Sequence, residues 1–172
     1  MCTTKTKGAN HHDEERHHDP ILKEELERCS DYIPVDLASI VPYYEGYIDV
    51  FTQGATDTLG NHYYTGIRGY MSPSDSNCYN IWDIGGKYDV LTATGIILES
   101  DKGSSYEGSY RIYGDGRLLY ERTHIGSQTK PYNIEVDITG VTDLKIEMFG
   151  EGNITMLGID SVLVDVRLQK RN

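Results

Sequence analysis

The chain has 172 residues, with 27 acidic side chains against 16 basic ones and a formal net charge of −11. A chain of that length fits one domain with a tail. Its acidity excludes nucleic acid and other polyanions, which bind clustered Lys and Arg, and it disfavours anionic membrane surfaces. Hydrophobic residues make up 38%, and the 18 glycines bring the composition into the globular range. No stretch approaches the roughly 18 apolar residues of a membrane span. The N-terminus also lacks the apolar centre of a secretory leader, so the sequence reads as cytosolic, or as exported by a segment outside this chain. Cys2, Cys29 and Cys78 form no metal-binding spacing; a Cys29–Cys78 bridge stays open beside the reading of idle thiols.

Residues 1–20 are polar, His-rich and without period, and read as a disordered lead-in. Pro20 to Arg28 predicts a short helix, with Asp19 as N-cap, Pro at the first helical position, and Leu22 and Leu26 on one face. The sequence therefore divides into a tail over 1–30 and a domain over 31–172. From Asp31 onward short alternating runs replace any helical period. Less regular strands are predicted over Tyr47–Thr52, His62–Ile67, Asn80–Ile84 and Tyr88–Ile97. Ser109–Tyr113 and Arg117–Glu121 flank Gly114-Asp115-Gly116, a hairpin turn. Tyr132–Ile138, Leu144–Phe149 and Val162–Leu168 alternate cleanly, the last with Val162, Val164, Val166 and Leu168 as one apolar stripe. About eight strands with no helices between them predict an all-β fold, an antiparallel sandwich or jelly roll. Of 14 tyrosines, about ten are expected in strands, where aromatic residues suit a half-wet surface.

Motifs for catalysis are missing: there is no Gly-x-Ser-x-Gly elbow, no His-Glu-x-x-His and no P-loop. The protein is therefore read as no enzyme. A small glycoside hydrolase, the third reading, needs two carboxylates about 5–10 Å apart in a cleft. His11, His12, His17 and His18 beside acidic neighbours have the chemistry for Zn, Ni or Cu, but without preorganised ligands they read as a solvated tail, and metal ligands are unassigned. Sugar recognition fits the inventory better. Tyr offers a flat apolar face and a hydroxyl, while Asp, Asn, Arg and His bond to sugar hydroxyls.

Four segments carry a resemblance over 31–168: Asp31-Tyr32-Ile33-Pro34 with Tyr43-Tyr44-Glu45-Gly46; Tyr63-Tyr64-Thr65-Gly66-Ile67; Asn80 to Tyr88, ending Gly85-Gly86-Lys87-Tyr88; and Tyr110 to Tyr120, leading to Val136–Val141 and Leu144-Lys145-Ile146. In order and spacing they resemble the NPCBM family, novel putative carbohydrate-binding modules found mainly in bacteria. The resemblance implies a galactose-binding-like β-sandwich, extracellular or on the cell surface, with a glycan as partner. It also implies a structural calcium in some members, with no ligands assignable here and no other cofactor. Three family positions differ, one of them Leu163, where a Trp is expected soon after Asp160. Many members carry a His where this chain reads Gly69-Tyr70-Met71, and an Asp where it reads Thr94-Gly95-Ile96-Ile97.

The expected function is a non-catalytic module binding a glycan, galactose-type by the resemblance, through loops at one end of the sandwich. Tyr70 and Tyr106 are the expected packing residues, and Arg68, Asp101, His124 and Asp160 the expected hydrogen-bonding ones. Residue type and loop placement select them, and the resemblance supports Asp160 as the acidic position before the last strand. The alternative is a structural or protein-interaction sandwich that has lost sugar binding. A concave end with clustered Tyr, Arg and Asp favours the first; a flat polar surface or an apolar patch favours the second. Oligomeric state is not legible.

Overall fold

The structure, a computed structural model, describes residues 33–69, 78–151 and 160–171, with the backbone alone at 151. These residues belong to the second of two units into which the chain divides, Met1–Ser30 and Asp31–Asn172. The predicted lead-in, helix and histidine pairs lie outside the described residues, as does Tyr70.

Twelve strands are described: β1 (Val35–Asp36), β2 (Ile48–Phe51), β3 (Ala55–Thr56), β4 (His62–Tyr63), β5 (Gly66–Gly69), β6 (Tyr79–Asp83), β7 (Val90–Ile96), β8 (Glu107–Gly114), β9 (Arg117–Gly126), β10 (Tyr132–Asp137), β11 (Asp143–Glu151) and β12 (Ser161–Gln169). One sheet runs β10-β7-β12-β5-β2, with β1 also paired to β12; the other runs β6-β11-β8-β9. Every named pairing is antiparallel. The fold is thus the expected all-β sandwich. Alternating side chains from the two inner faces form one core that includes Trp82, Leu91, Ile112, Leu144, Ile146, Leu163 and Leu168.

Three local expectations change. The predicted strand His62–Ile67 is two strands in different sheets, because the chain leaves β4 at exposed Tyr64 and turns. There Thr65 donates from Oγ1 to Asp36 Oδ2 at 2.7 Å, fixing the start of β5.

The apolar stripe of β12 is also broken. Val164 pairs with Thr94 but Arg167 with Thr92, so two residues of β12 stand against one of β7. This is a β-bulge, and Asp165 sits in it with φ +50. The extra residue moves the inward side of the strand by one position. Leu163, Val166 and Leu168 enter the main core, while Val162 and Val164 join Ile96 and Leu98 in a second cluster on the outer face. Phe51, Ala55 and Tyr63 pack on that cluster, the last two from the small β3–β4 ribbon.

Tyrosine is less strand-bound than expected. Of the twelve described tyrosines, Tyr63, Tyr79, Tyr110, Tyr113, Tyr120 and Tyr132 lie in strands. Tyr43 and Tyr44 instead belong to a segment laid along β6, where Tyr44 bridges Ile81 and stacks on Tyr79 with ring centroids 4.7 Å apart.

Candidate functional site at one end of the sandwich

Antiparallel pairing brings β5, β7 and β12 to a common level, with Val162 opposite both Arg68 and Ile96. Ser161 Oγ then reaches Ser109 O of the other sheet at 3.5 Å. The segment 97–106, which includes a 3-10 turn over Glu99–Asp101, crosses between the sheets at this same end. One end of the sandwich therefore collects residues that are far apart in sequence.

Arg68, Asp101 and Asp160 are brought together there. Arg68 Nε lies 3.8 Å from Asp160 Oδ2, and Arg68 Nη2 lies 3.4 Å from Asp49 Oδ2 on the neighbouring strand β2. The Asp160 backbone N–H donates to Asp101 Oδ2 at 3.2 Å. The Arg68 side chain is 42% exposed, whereas the Asp160 side chain is only 18% exposed. Beside this cluster opens a depression of about 400 Å³ bounded by Asp49, Arg68, Phe51, Gln53 and Leu98.

Burial, followed by the nearby Asp101 charge, pushes the Asp160 carboxyl up to about 6, with Arg68 opposing. Burial also raises Asp101, against the pull of the Asp160 N–H and of Arg68. Because the folded-state value of Asp160 lies above the unfolded one of about 3.9, folding penalises its ionised form. Stability from this group falls as pH rises from about 4 to 6 and stays reduced above that. Asp160→Asn is expected to raise stability at pH 7 by about 1–2 kcal/mol and to leave it unchanged at pH 4. Urea melts at the two pH values check this; an equal effect at both would exclude the buried carboxylate as the cause.

Tyr106 and His124 meet in a second depression at the same end, of about 400 Å³, lined also by Ser104, Glu107, Ser127 and Thr129. His124 Nδ1 lies 2.8 Å from Glu107 Oε2. His124 has φ +56 where β9 bulges against β8, and its side chain is 71% exposed. The rim is braced by Ser127 Oγ donating to Ser104 O at 2.8 Å. Tyr106 is half-buried and packs on the main core, so only part of its side chain is open to solvent.

Asp49 and Glu107 complete these clusters without having been predicted. Asp49 shows in the sequence only as an outward residue of β2, and Glu107 carries no local signal. Among the described residues, no group of three or more His, Cys, Asp or Glu stands together as metal ligands. The fully buried carboxylate Asp57 already accepts from Leu59 N, Asn61 N, Asn61 Nδ2 and Tyr63 Oη, which leaves it no free position for calcium. No helix among the described residues is long and apolar enough to cross a membrane.

Residues 48–159 match the family model of the NPCBM/NEW2 domain. No curated protein matches the chain. A solved structure of the M60 catalytic domain with the CBM51-1 and CBM51-2 domains from Clostridium perfringens ZmpB is similar at TM-score 0.64 and 18% identity. That match covers 80% of this chain and 15% of the other, so this chain spans a small part of that protein. CBM51 from Clostridium perfringens GH95, solved in complex with methyl-galactose, is similar at TM-score 0.62 and 17% identity, covering 80% of this chain and 100% of the other. CBM27-1 from Caldicellulosiruptor saccharolyticus, in complex with mannohexaose, gives TM-score 0.53 and 14% identity, covering 81% and 97%. At these identities the likeness is one of fold.

Proposed function

The chain belongs to the NPCBM/NEW2 domain family, and from that premise we propose that it is a non-catalytic carbohydrate-binding module, extracellular or on the cell surface. Its ligand is a neutral glycan of galactose type, held at the end of the sandwich by Arg68, Asp101 and Asp160, with Tyr106 and His124 on the neighbouring rim. The observation that carries this reading is the half-exposed Arg68 guanidinium, fixed between Asp49 and Asp160 at the mouth of a depression. A planar fork beside planar carboxylates suits the paired donors and acceptors of vicinal sugar hydroxyls. The methyl-galactose bound by the Clostridium perfringens CBM51 module supports the sugar class.

Calorimetric titration with methyl-galactose tests it. Binding in the millimolar range is expected, about −4 kcal/mol, and Arg68→Ala should weaken it by about tenfold or more, the loss of one charged hydrogen bond. Absence of heat and of amide shifts at tens of millimolar sugar would overturn the reading. That outcome would favour an interaction domain, for which the exposed Val41, Tyr43 and Tyr47 beside β6 supply the apolar contact.

A further inference from the structure

The outer face of the larger sheet is divided. Its half nearest the candidate site is apolar, with Ile96, Val162 and Val164 under Ala55 and Tyr63 of the β3–β4 ribbon. Among the described residues nothing covers its other half, which is polar and forms a trough of about 450 Å³ across β10, β7 and β12. Thr92 and Thr94 of β7 make the floor; Asn133 and Glu135 of β10 stand on one side, Asp165 and Arg167 of β12 on the other. The register places Glu135 and Arg167 both opposite Thr92, so a carboxylate and a guanidinium face each other over a threonine. Their backbones are two strand spacings apart, about 10 Å, a gap on the scale of one sugar ring.

Asp165 holds a left-handed backbone, φ +50, at the bulge that reshapes β12 beside the trough, and non-glycine residues occupy that region at a cost. Among the described residues, the side chains of Thr92, Thr94, Asn133 and Glu135 make no hydrogen bond or ion pair, so the row faces outward with its donors and acceptors unused. Arg167 is already held, by Asp36 Oδ2 at 2.8 Å and by Asp165 Oδ1 at 3.8 Å.

We infer that this trough is a second glycan-binding site, distinct from the end of the sandwich, that takes a neutral oligosaccharide by hydrogen bonds alone. Threonine and asparagine both donate and accept, the carboxylates accept, and together they match a run of sugar hydroxyls. Glu135 and Asp165 repel uronic and sulfated sugars, and Arg167 has its charge satisfied by aspartates. Among the described residues no aromatic ring lines the trough, so contact extends over several sugar units instead of stacking on one.

The test is amide NMR mapping of the full chain with cellohexaose, xylohexaose and mannohexaose, and with methyl-galactose as the probe of the sandwich end. At least one hexaose should shift the amides of Thr92, Thr94, Asn133 and Glu135, in the wild type and equally in Arg68→Ala. Glu135→Ala should weaken that hexaose by about fivefold or more and leave methyl-galactose binding unchanged. Trough shifts from a hexaose with no response to methyl-galactose would uphold this site and remove the sandwich-end reading. Silence of the trough amides with all three hexaoses, or hexaose affinity unaltered in Glu135→Ala, would overturn it.

Discussion

Trp82→Ala is expected to lower the stability of the domain by about 3–5 kcal/mol, the usual cost of emptying a buried Trp position. The side chain is 0% exposed in the main core, and its indole Nε1–H donates to Ile40 O at 3.1 Å. That bond is a clasp as well as a contact. It ties the segment after Leu37, itself fully buried, to β6, where Tyr43 N and Tyr44 N both reach Ile81 O. Alanine therefore leaves a cavity and a carbonyl without its donor, and loosens the strip that carries Tyr43 and Tyr44. A domain of this size has about 5–15 kcal/mol in hand, so the variant should still fold at low temperature. Urea unfolding followed by circular dichroism is the measurement, because this is the one Trp in the chain. Trp82→Phe separates the two effects: it keeps most of the packing and should cost only about 1–2 kcal/mol. Equal losses for the two variants would mean that the hydrogen bond, and not the volume, dominates.

The sandwich was legible in the sequence because period-two alternation survives wherever one sheet face is buried and the other wet. β10 and β11 show it without interruption, and both occur where expected. β12 shows what alternation cannot report. Its four regularly spaced apolar residues look like one stripe, yet the bulge at Asp165 sends Val162 and Val164 outward. Only the partner strand reveals the extra residue, and an aspartate in the left-handed region gives little warning in one sequence. The same limit applies to Gly95. A Cβ there would clash with the Tyr132 ring, which packs in its place under Arg122 at 3.6 Å. At the candidate site, residue type and expected loop placement selected Arg68, Asp101 and Asp160, the last with the support of the resemblance, and pairing register brought Arg68 to the others. Asp49 escaped because it looks like any solvated strand residue until Arg68 is placed opposite it.

Asp57→Ala should cost about 3 kcal/mol or more, the penalty for removing a buried charged acceptor that four part-buried hydrogen bonds share. Asp57 is 0% exposed, and its Oδ1 accepts from Leu59 N at 2.8 Å and Asn61 N at 2.9 Å. Its Oδ2 accepts from Asn61 Nδ2 at 2.9 Å and Tyr63 Oη at 3.1 Å. The whole turn between β3 and β4 is folded around one carboxylate, and that turn holds Ala55 and Tyr63 over the outer cluster. Loss of the turn should expose Ile96, Val162 and Val164, so hydrogen exchange should quicken there before the main core responds. Asp57→Asn should not rescue, since its amide would point a donor at donors. Burial alone would raise this carboxyl, but the bonds from Asn61, Leu59 and Tyr63 outweigh it and hold it below the ordinary range. A depressed folded-state value means that the contribution is present above the unfolded value of about 3.9 and is lost as pH falls towards the folded one. Asp160 acts with the opposite sign, its penalty growing between about pH 4 and 6. Of these two aspartates, Asp57 loses its contribution in acid and Asp160 lowers stability on the way to neutrality, so the contribution of the pair is largest near about pH 4–5. Asp160→Asn should flatten the neutral side of that profile and Asp57→Ala the acid side. A wild-type profile still rising from pH 5 to 7 would show that neither aspartate controls it.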